Sequence, residues 1–519
     1  MATHDISFSS AFVCNALHQK PEHFLCNTVS KVTSAQAVTV RRRSANYCPS
    51  LWDHQYLLSL ENIYAKEVES MEKAKLLKEV VRETLVKTQD DFDVFKSENG
   101  IFRKTLPIKG VLSLYEASYF SMDSEFKLKE ARSFANERLT EFIAENSTTI
   151  LGTNETYILD MVKRALVNPY HWSTRRKEAR WYIDVYQKKH DMDPLLLKFA
   201  ALDFNILQAN HQEELKLISS WWNSTELMKQ LDFSHPESYF WTIGIFYEPE
   251  FKYYRKILTK LFMLIAIMDD IYDIYGTLEE LEIFTNVVER WDVNLVERLP
   301  EYMQICFLFL YNEINQIGYD VLRDKGRNII PYLKQVWKDL FKAFLTEAKW
   351  YKTGHKPSFN EYMQNGLISS SVPTILLHLF SILCDQISDQ NLTDVSINHH
   401  SIVRSSATIL RLANDLATST EEMARGDSPK SVQCYMYETG ANEDAAREQI
   451  QSMIIDSWDV INSAAHTSSL PSGFVAAAAN LNRVVQCIYQ HGDGHGCPEK
   501  AKTVDHIQSV LFNPVPFQM

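Results

Sequence analysis

Helix breakers are scarce in this chain of 519 residues, which has 15 glycines and 16 prolines. Both residues interrupt helices, and strands need turn residues between them, so their scarcity favours long helices. The apolar pattern from Leu51 onward agrees. Leu57, Leu60, Ile63 and Tyr64 recur at three- and four-residue spacing, as do Ile257, Leu258, Leu261, Phe262 and Ile265, and then Ile375, Leu376, Leu379 and Phe380. That is the period of one helical face. Strand-like alternation, solenoid repeats and low-complexity tracts are hard to find. The expected fold class is all-α.

The length exceeds one ordinary core, which predicts two folded domains behind a tail. The best boundary is Lys188-Lys189-His190-Asp191-Met192-Asp193-Pro194, a polar run closed by proline, with a new periodicity from Leu195. We therefore expect a smaller helical domain at 42–190 and a larger one at 191–519, a bundle able to enclose an active-site cavity. Residues 1–41 differ. They are rich in Ser and Thr, hold only Asp5 and Glu22 as acids, and run into Arg41-Arg42-Arg43. This composition predicts a plastid-type transit peptide, although an ordinary unstructured N-terminus shares it.

A net charge of −13 argues against a nucleic-acid partner, which would want a basic face. It leaves room for an anionic substrate if metal ions bring the positive charge. The eight cysteines show no CxxC spacing, consistent with a reducing compartment. Apolar runs such as Leu261 to Met268 are too short to cross a bilayer, so no membrane span is expected.

The chemistry concentrates in the second half. Leu264-Ile265-Ala266-Ile267-Met268 leads straight into Asp269-Asp270-Ile271-Tyr272-Asp273. At about 100° per residue, Asp269 and Asp273 are offset by about 40°, with Asp270 on the neighbouring flank. Repulsion among these carboxylates would be on the order of several kcal/mol at low effective dielectric. No Lys or Arg lies between Lys260 and Arg290 to relieve it. A divalent cation could, and oxygen ligands select a hard ion such as Mg²⁺ or Mn²⁺. A solvated acidic helix end would read the same way. A second row, Asn414, Thr418 and Glu422, steps by four and can point into one cleft. Alone it could be a surface or capping pattern. Paired with the aspartates it suggests two metal-binding helices clamping a diphosphate. Arg411, about one turn before Asn414, could hold a diphosphate oxygen or make a salt bridge.

With both rows in hand, the chain resembles the plant class I terpene synthases of the angiosperm monoterpene group. Asp269, Asp270 and Asp273 match the aspartate-rich motif, and Asn414, Thr418 and Glu422 match the second metal motif. Arg42-Arg43, eight residues and Trp52 match the tandem-arginine tryptophan motif. Further matches are Leu112-Ser113-Leu114-Tyr115-Glu116-Ala117, Glu178-Ala179-Arg180-Trp181, Leu202-Asp203-Phe204-Asn205, Ser428-Pro429-Lys430-Ser431-Val432-Gln433-Cys434, and Tyr489 through Gly496. The resemblance implies two all-α domains and a monomer that uses Mg²⁺ or Mn²⁺, three ions per site. It implies a prenyl diphosphate substrate, geranyl diphosphate first, ionised in the plastid stroma to a carbocation. Trp241 and Tyr489 would wall the pocket, and Ser369-Ser370-Ser371 match a helix break whose carbonyls face the cation. Ordinary core packing is the alternative for each aromatic.

Two departures stand out. The family carries an Arg-x-Arg motif shortly before Phe240-Trp241, whereas Leu231 to Tyr239 is shorter here and has no arginine. Upstream, Val86-Lys87-Thr88-Gln89 runs into Asp90-Asp91-Phe92-Asp93 where the family has extra helices. Other readings follow: a catalytically impaired member, a sesquiterpene synthase using farnesyl diphosphate, or a chain-elongating prenyltransferase. The last would need a second aspartate-rich motif in place of Asn/Thr/Glu. A protonation-driven cyclase would need a DxDD motif that Asp90-Asp91-Phe92-Asp93 does not supply.

Overall fold

The computed structural model describes residues 52–61, 106–123, 125–146, 152–225, 235–395, 400–492 and 501–516. The expected transit segment 1–41, Arg42-Arg43, the junction at 89–90 and residues 226–234 lie outside them. Every regular element among the described residues is a helix, apart from one isolated bridge between Gln490 and Gly492.

The sequence boundary at 188–194 is a helix start. Asp193 caps the long Pro194–Asn223 helix, accepting from the Leu195 and Leu196 amides at 2.8 and 3.2 Å. Pro194 takes the first turn, where its missing N–H costs nothing. Before this point, the Ile108–Ser118, Phe126–Asn146 and Thr153–Val167 helices close a small core of Val111, Tyr115, Ala135, Leu139, Val162 and Ala165. One large apolar core runs through the helices from Pro194 to Ile488 and also takes in Trp52, Leu57 and Trp172 from before the boundary. Each fully buried leucine there, such as Leu258, Leu261 or Leu376, contributes about 2 kcal/mol of transfer free energy. Trp52, the tryptophan of the tandem-arginine motif, is buried and stacks on Phe512 with ring centres 5.3 Å apart.

Phe359–Leu383 is long and apolar enough to cross a membrane, which the sequence reading overlooked. It is a core element: 89% of its most apolar window is buried, and it breaks into Phe359–Ser369 and Val372–Leu383. Ser371 sits at the break with φ +66°, a left-handed conformation that costs a residue with a Cβ about 1 kcal/mol. This broken helix positions the site. The aspartate helix (Lys252–Asp270) and the asparagine helix (Ser401–Arg425) both pack against Val372–Leu383. The four buried cysteines among the described residues, Cys306, Cys384, Cys434 and Cys487, are free thiols.

Candidate active site

The aspartate helix ends as an α-helix at Asp270 and continues as a π turn over Ile271–Tyr275. The Gly276 amide donates to the Ile271 carbonyl at 2.8 Å, which closes that turn. The 100° wheel used for Asp269 and Asp273 therefore does not carry across the motif, since a π turn advances less per residue. Asp269 and Asp270 are half-buried, and Asp273, though more exposed as a residue, has its carboxyl surrounded closely enough by neighbouring groups to be desolvated. Glycine at 276 is required by space. A Cβ there would meet Leu281 Cδ2 at 2.6 Å and the Ile271 carbonyl oxygen at 3.0 Å. The next helix starts cleanly, with Thr277 and Glu280 capping one another's backbone amides.

Charge crowding appears as the sequence predicts. Burial raises the Asp269 carboxyl well above its ordinary value, and Asp273, Asp270 and Glu347 add repulsion. Burial likewise pushes Asp273 up to about 6; Lys430 opposes the rise, and Glu347, Glu422 and Asp427 reinforce it. Asp273 and Glu422, carried by separate helical elements, are therefore near enough to repel one another. Arg411 belongs to the same charge network, acted on by Glu347 and Glu422.

On the asparagine helix, the Thr418 hydroxyl donates to the Asn414 carbonyl at 3.0 Å, leaving its lone pairs for another partner. Glu422 Oε2 is buried without a hydrogen bond, and its neighbour is Lys430 Nζ at 3.6 Å. Arg411 donates to the Asn414 side-chain oxygen and stands 2.7 Å from Asp415 Oδ1, so the salt bridge foreseen as its alternative role is present within its own helix. On the apolar side, Trp241 is buried, with ring centres 5.5 Å from Phe262 and 6.2 Å from Tyr489.

Sequence reading missed Glu347, Lys430 and Asp415. Glu347 lies on the Ile330–Thr353 helix and accepts from Asn365 Nδ2 at 3.0 Å and from the Ser369 hydroxyl beside the helix break. Lys430 stood only inside a family match. Its signal was a lysine just before a helix start, close in sequence to Glu422.

The donor set fits a hard divalent cation. Its donors are oxygens, one carboxylate oxygen is buried without a hydrogen-bond partner, and the crowded acids outnumber Lys430, the cation that opposes their repulsion. Among the described residues no three His, Cys, Asp or Glu side chains gather closely enough to form a closed site. An open set of this kind suits ions whose remaining ligands come from a phosphate-bearing substrate.

Comparisons with known proteins give the family. Residues 224–460 match the metal binding domain of the terpene synthase family, and residues 86–166 match the terpene synthase N-terminal domain. The chain is 70% identical to a chloroplastic (E)-beta-ocimene synthase of Arabidopsis thaliana, over 99% of this chain and 100% of the relative. That alignment runs to 589 positions against 519 residues here, so the relative carries segments that this chain lacks. A chloroplastic 1,8-cineole synthase of the same plant is 46% identical over 100% of this chain and 99% of the relative. Among solved structures, a limonene synthase with 2-fluorolinalyl diphosphate superposes with TM-score 0.85 at 35% identity, covering 92% of this chain and 100% of that one. Isoprene synthase from grey poplar leaves, in complex with three Mg²⁺ ions and dimethylallyl-S-thiolodiphosphate, gives TM-score 0.78 at 34% identity over 90% of this chain and 99% of that one. The chain belongs to the terpene synthase family. It is a lyase with the all-α fold of that family, and it uses divalent metal.

Proposed function

We propose that this chain is a plastid monoterpene synthase that ionises geranyl diphosphate and converts the cation to a monoterpene, releasing diphosphate. The reading is supported by the pair of oxygen rows on separate helices, with Asp273 and Glu422 near enough to repel one another and Lys430 Nζ 3.6 Å from Glu422. Asp269, Asp270 and Asp273 would hold Mg²⁺, or Mn²⁺, from one side, and Asn414, Thr418 and Glu422 from the other. Three ions per site is the number the isoprene synthase complex supports. When bound, the metal supplies the charge that makes diphosphate a leaving group. Arg411 and Lys430 add protein charge at the same end. At the other end, the rings of Trp241 and Tyr489 offer negative faces to a carbocation, and the Ser369-Ser370-Ser371 break adds carbonyl dipoles.

Residues 1–41 act in this reading as the transit peptide, 42–190 as the N-terminal domain and 191–519 as the catalytic domain, in a monomer. The 70% identity to an ocimene synthase supports an acyclic triene as the main product. Incubating the purified protein with geranyl diphosphate and Mg²⁺ should release volatile hydrocarbon. Turnover of farnesyl diphosphate alone would move the assignment to sesquiterpenes. A second reading, an impaired enzyme, draws on the absence of any arginine from 231 to 239 and on the missing internal segments. Silence that an inserted Arg-x-Arg stretch cures would favour it, and silence that persists would end the synthase reading.

A further inference from the structure

Asp415 follows Asn414 on the asparagine helix, about 100° round its axis, and is fully buried. Three groups from three places close on its carboxylate. The Tyr362 hydroxyl, from the Phe359–Ser369 helix, donates to Oδ2 at 2.7 Å. The Ser431 backbone amide donates to Oδ2 at 3.1 Å. Arg411 Nη2 stands 2.7 Å from Oδ1. That last contact is charge against charge, because Oδ1 has no aligned hydrogen-bond donor among the described residues.

Each contact has a consequence for the cations of the cavity. Ser431 opens the Ser431–Thr439 helix, and its N–H is one of those that no helical carbonyl can reach. A carboxylate placed there satisfies the amide and suits the positive end of the helix. Lys430 is the residue immediately before, so pinning the Ser431 amide fixes the backbone from which the Lys430 ammonium reaches Glu422. Arg411, held at one edge by Asp415, keeps a buried Nε–H with no partner among the described residues, a donor available to an incoming anion. A carboxylate buried this deeply is costly unless charge and donors surround it. Here two donors and a guanidinium do so.

We propose that Asp415 is a positioning residue, aiming the Arg411 guanidinium and fixing the turn that carries Lys430 so that both cations converge on diphosphate. The proposal rests on the assignment of Arg411 and Lys430 to the diphosphate end of the cavity. A carboxylate that merely ties helices together would affect melting and leave anion affinity alone.

The test is calorimetric titration of inorganic diphosphate into the full-length protein with Mg²⁺ present, with the melting midpoint recorded alongside. Asp415→Asn keeps the volume and removes the charge, and affinity should fall about tenfold, the scale of one charge-assisted contact. Ser431→Pro deletes the amide donor, together with a hydroxyl that has no hydrogen-bond partner among the described residues. Proline is tolerated at a first helical position, and Lys430 is already extended, with ψ −176°, as a residue before proline must be. This variant should fold and bind about threefold more weakly, roughly half the free-energy loss of the charge removal. Arg411→Ala checks the underlying assignment. If it binds diphosphate as the wild type does, that assignment fails and takes the proposal with it. If it binds weakly while Asp415→Asn and Ser431→Pro bind normally, the positioning role is overturned and the assignment stands. Should Asp415→Asn not fold, unchanged affinity in Ser431→Pro alone overturns the proposal.

Discussion

Lys430 Nζ lies 3.6 Å from Glu422 Oε2, which places an ammonium group inside a ring of carboxylates drawn from three helices and a π turn. Burial alone would lower its pKa, but Glu422, Glu347 and Asp273 hold it well above the ordinary lysine value. Without metal, Lys430 is a counter-charge for both acidic rows.

Replacing it should therefore weaken the metal-free protein more than the metal-loaded one. Lys430→Met is expected to cost about 3 kcal/mol without metal, as removal of one partner from a buried charge cluster does. Adding Mg²⁺ with diphosphate should recover part of that loss. Thermal melts of both proteins with and without Mg²⁺ and diphosphate measure the difference.

Asp269 should show the opposite balance. Its carboxyl is raised by burial and by Asp273 and Asp270, so ionisation there is unfavourable without metal. Asp269→Asn is expected to leave the metal-free stability unchanged or to raise it by up to about 1 kcal/mol. Turnover should fall at least about a hundredfold, as when a group stabilising the transition state is lost. A matched melt and steady-state assay reads both.

Gly276→Ala tests the π turn. The added Cβ can push aside Leu281 but not the Ile271 carbonyl at 3.0 Å. The expected cost is about 1–2 kcal/mol, typical of overpacking. Because the same turn carries Asp273, the Mg²⁺ concentration for half-maximal rate should rise several-fold while the circular dichroism spectrum stays helical.

The helix of Trp241 also carries a pH-sensitive group. Glu237 is 1% exposed, neither carboxyl oxygen has a hydrogen-bond partner among the described residues, and burial pushes its pKa up to about 7. A carboxyl raised from 4.5 to about 7 keeps its proton in the folded state where the unfolded chain has lost it. Its contribution to stability is complete below pH 4.5, falls as pH rises through this window, and is gone above about 7. Glu237→Gln should remove that slope and be more stable than the wild type at pH 8 by on the order of 2 kcal/mol. Melting curves from pH 5 to 8 check the sign; a variant less stable at pH 8 would refute it.

Much of this architecture could be read from residue order. Asp193-Pro194 announced a helix start because capping and proline placement are local rules, and Asn414, Thr418 and Glu422 share a face because one unbroken helix carries them. The aspartate motif was legible in its chemistry but not its geometry. Nothing local in Ile271 to Tyr275 signals a π turn, which depends on the close approach of Gly276 to Leu281. Glu347 lies 74 residues after Asp273 and 75 before Glu422, and only packing of the Ile330–Thr353 helix brings it in. Asp415 looked like a second copy of Asn414, and its inward set of partners needed three separate elements to be placed.

Anomalous scattering from crystals grown with Mn²⁺ and inorganic diphosphate tests the central claim most directly. Metal peaks are expected between the two rows, within coordination distance of Asp269 or Asp273 on one side and of Asn414, Thr418 and Glu422 on the other. Diphosphate density should join them. Ordered diphosphate elsewhere, or manganese bound only at outer surfaces with the space between the rows empty, would contradict that claim.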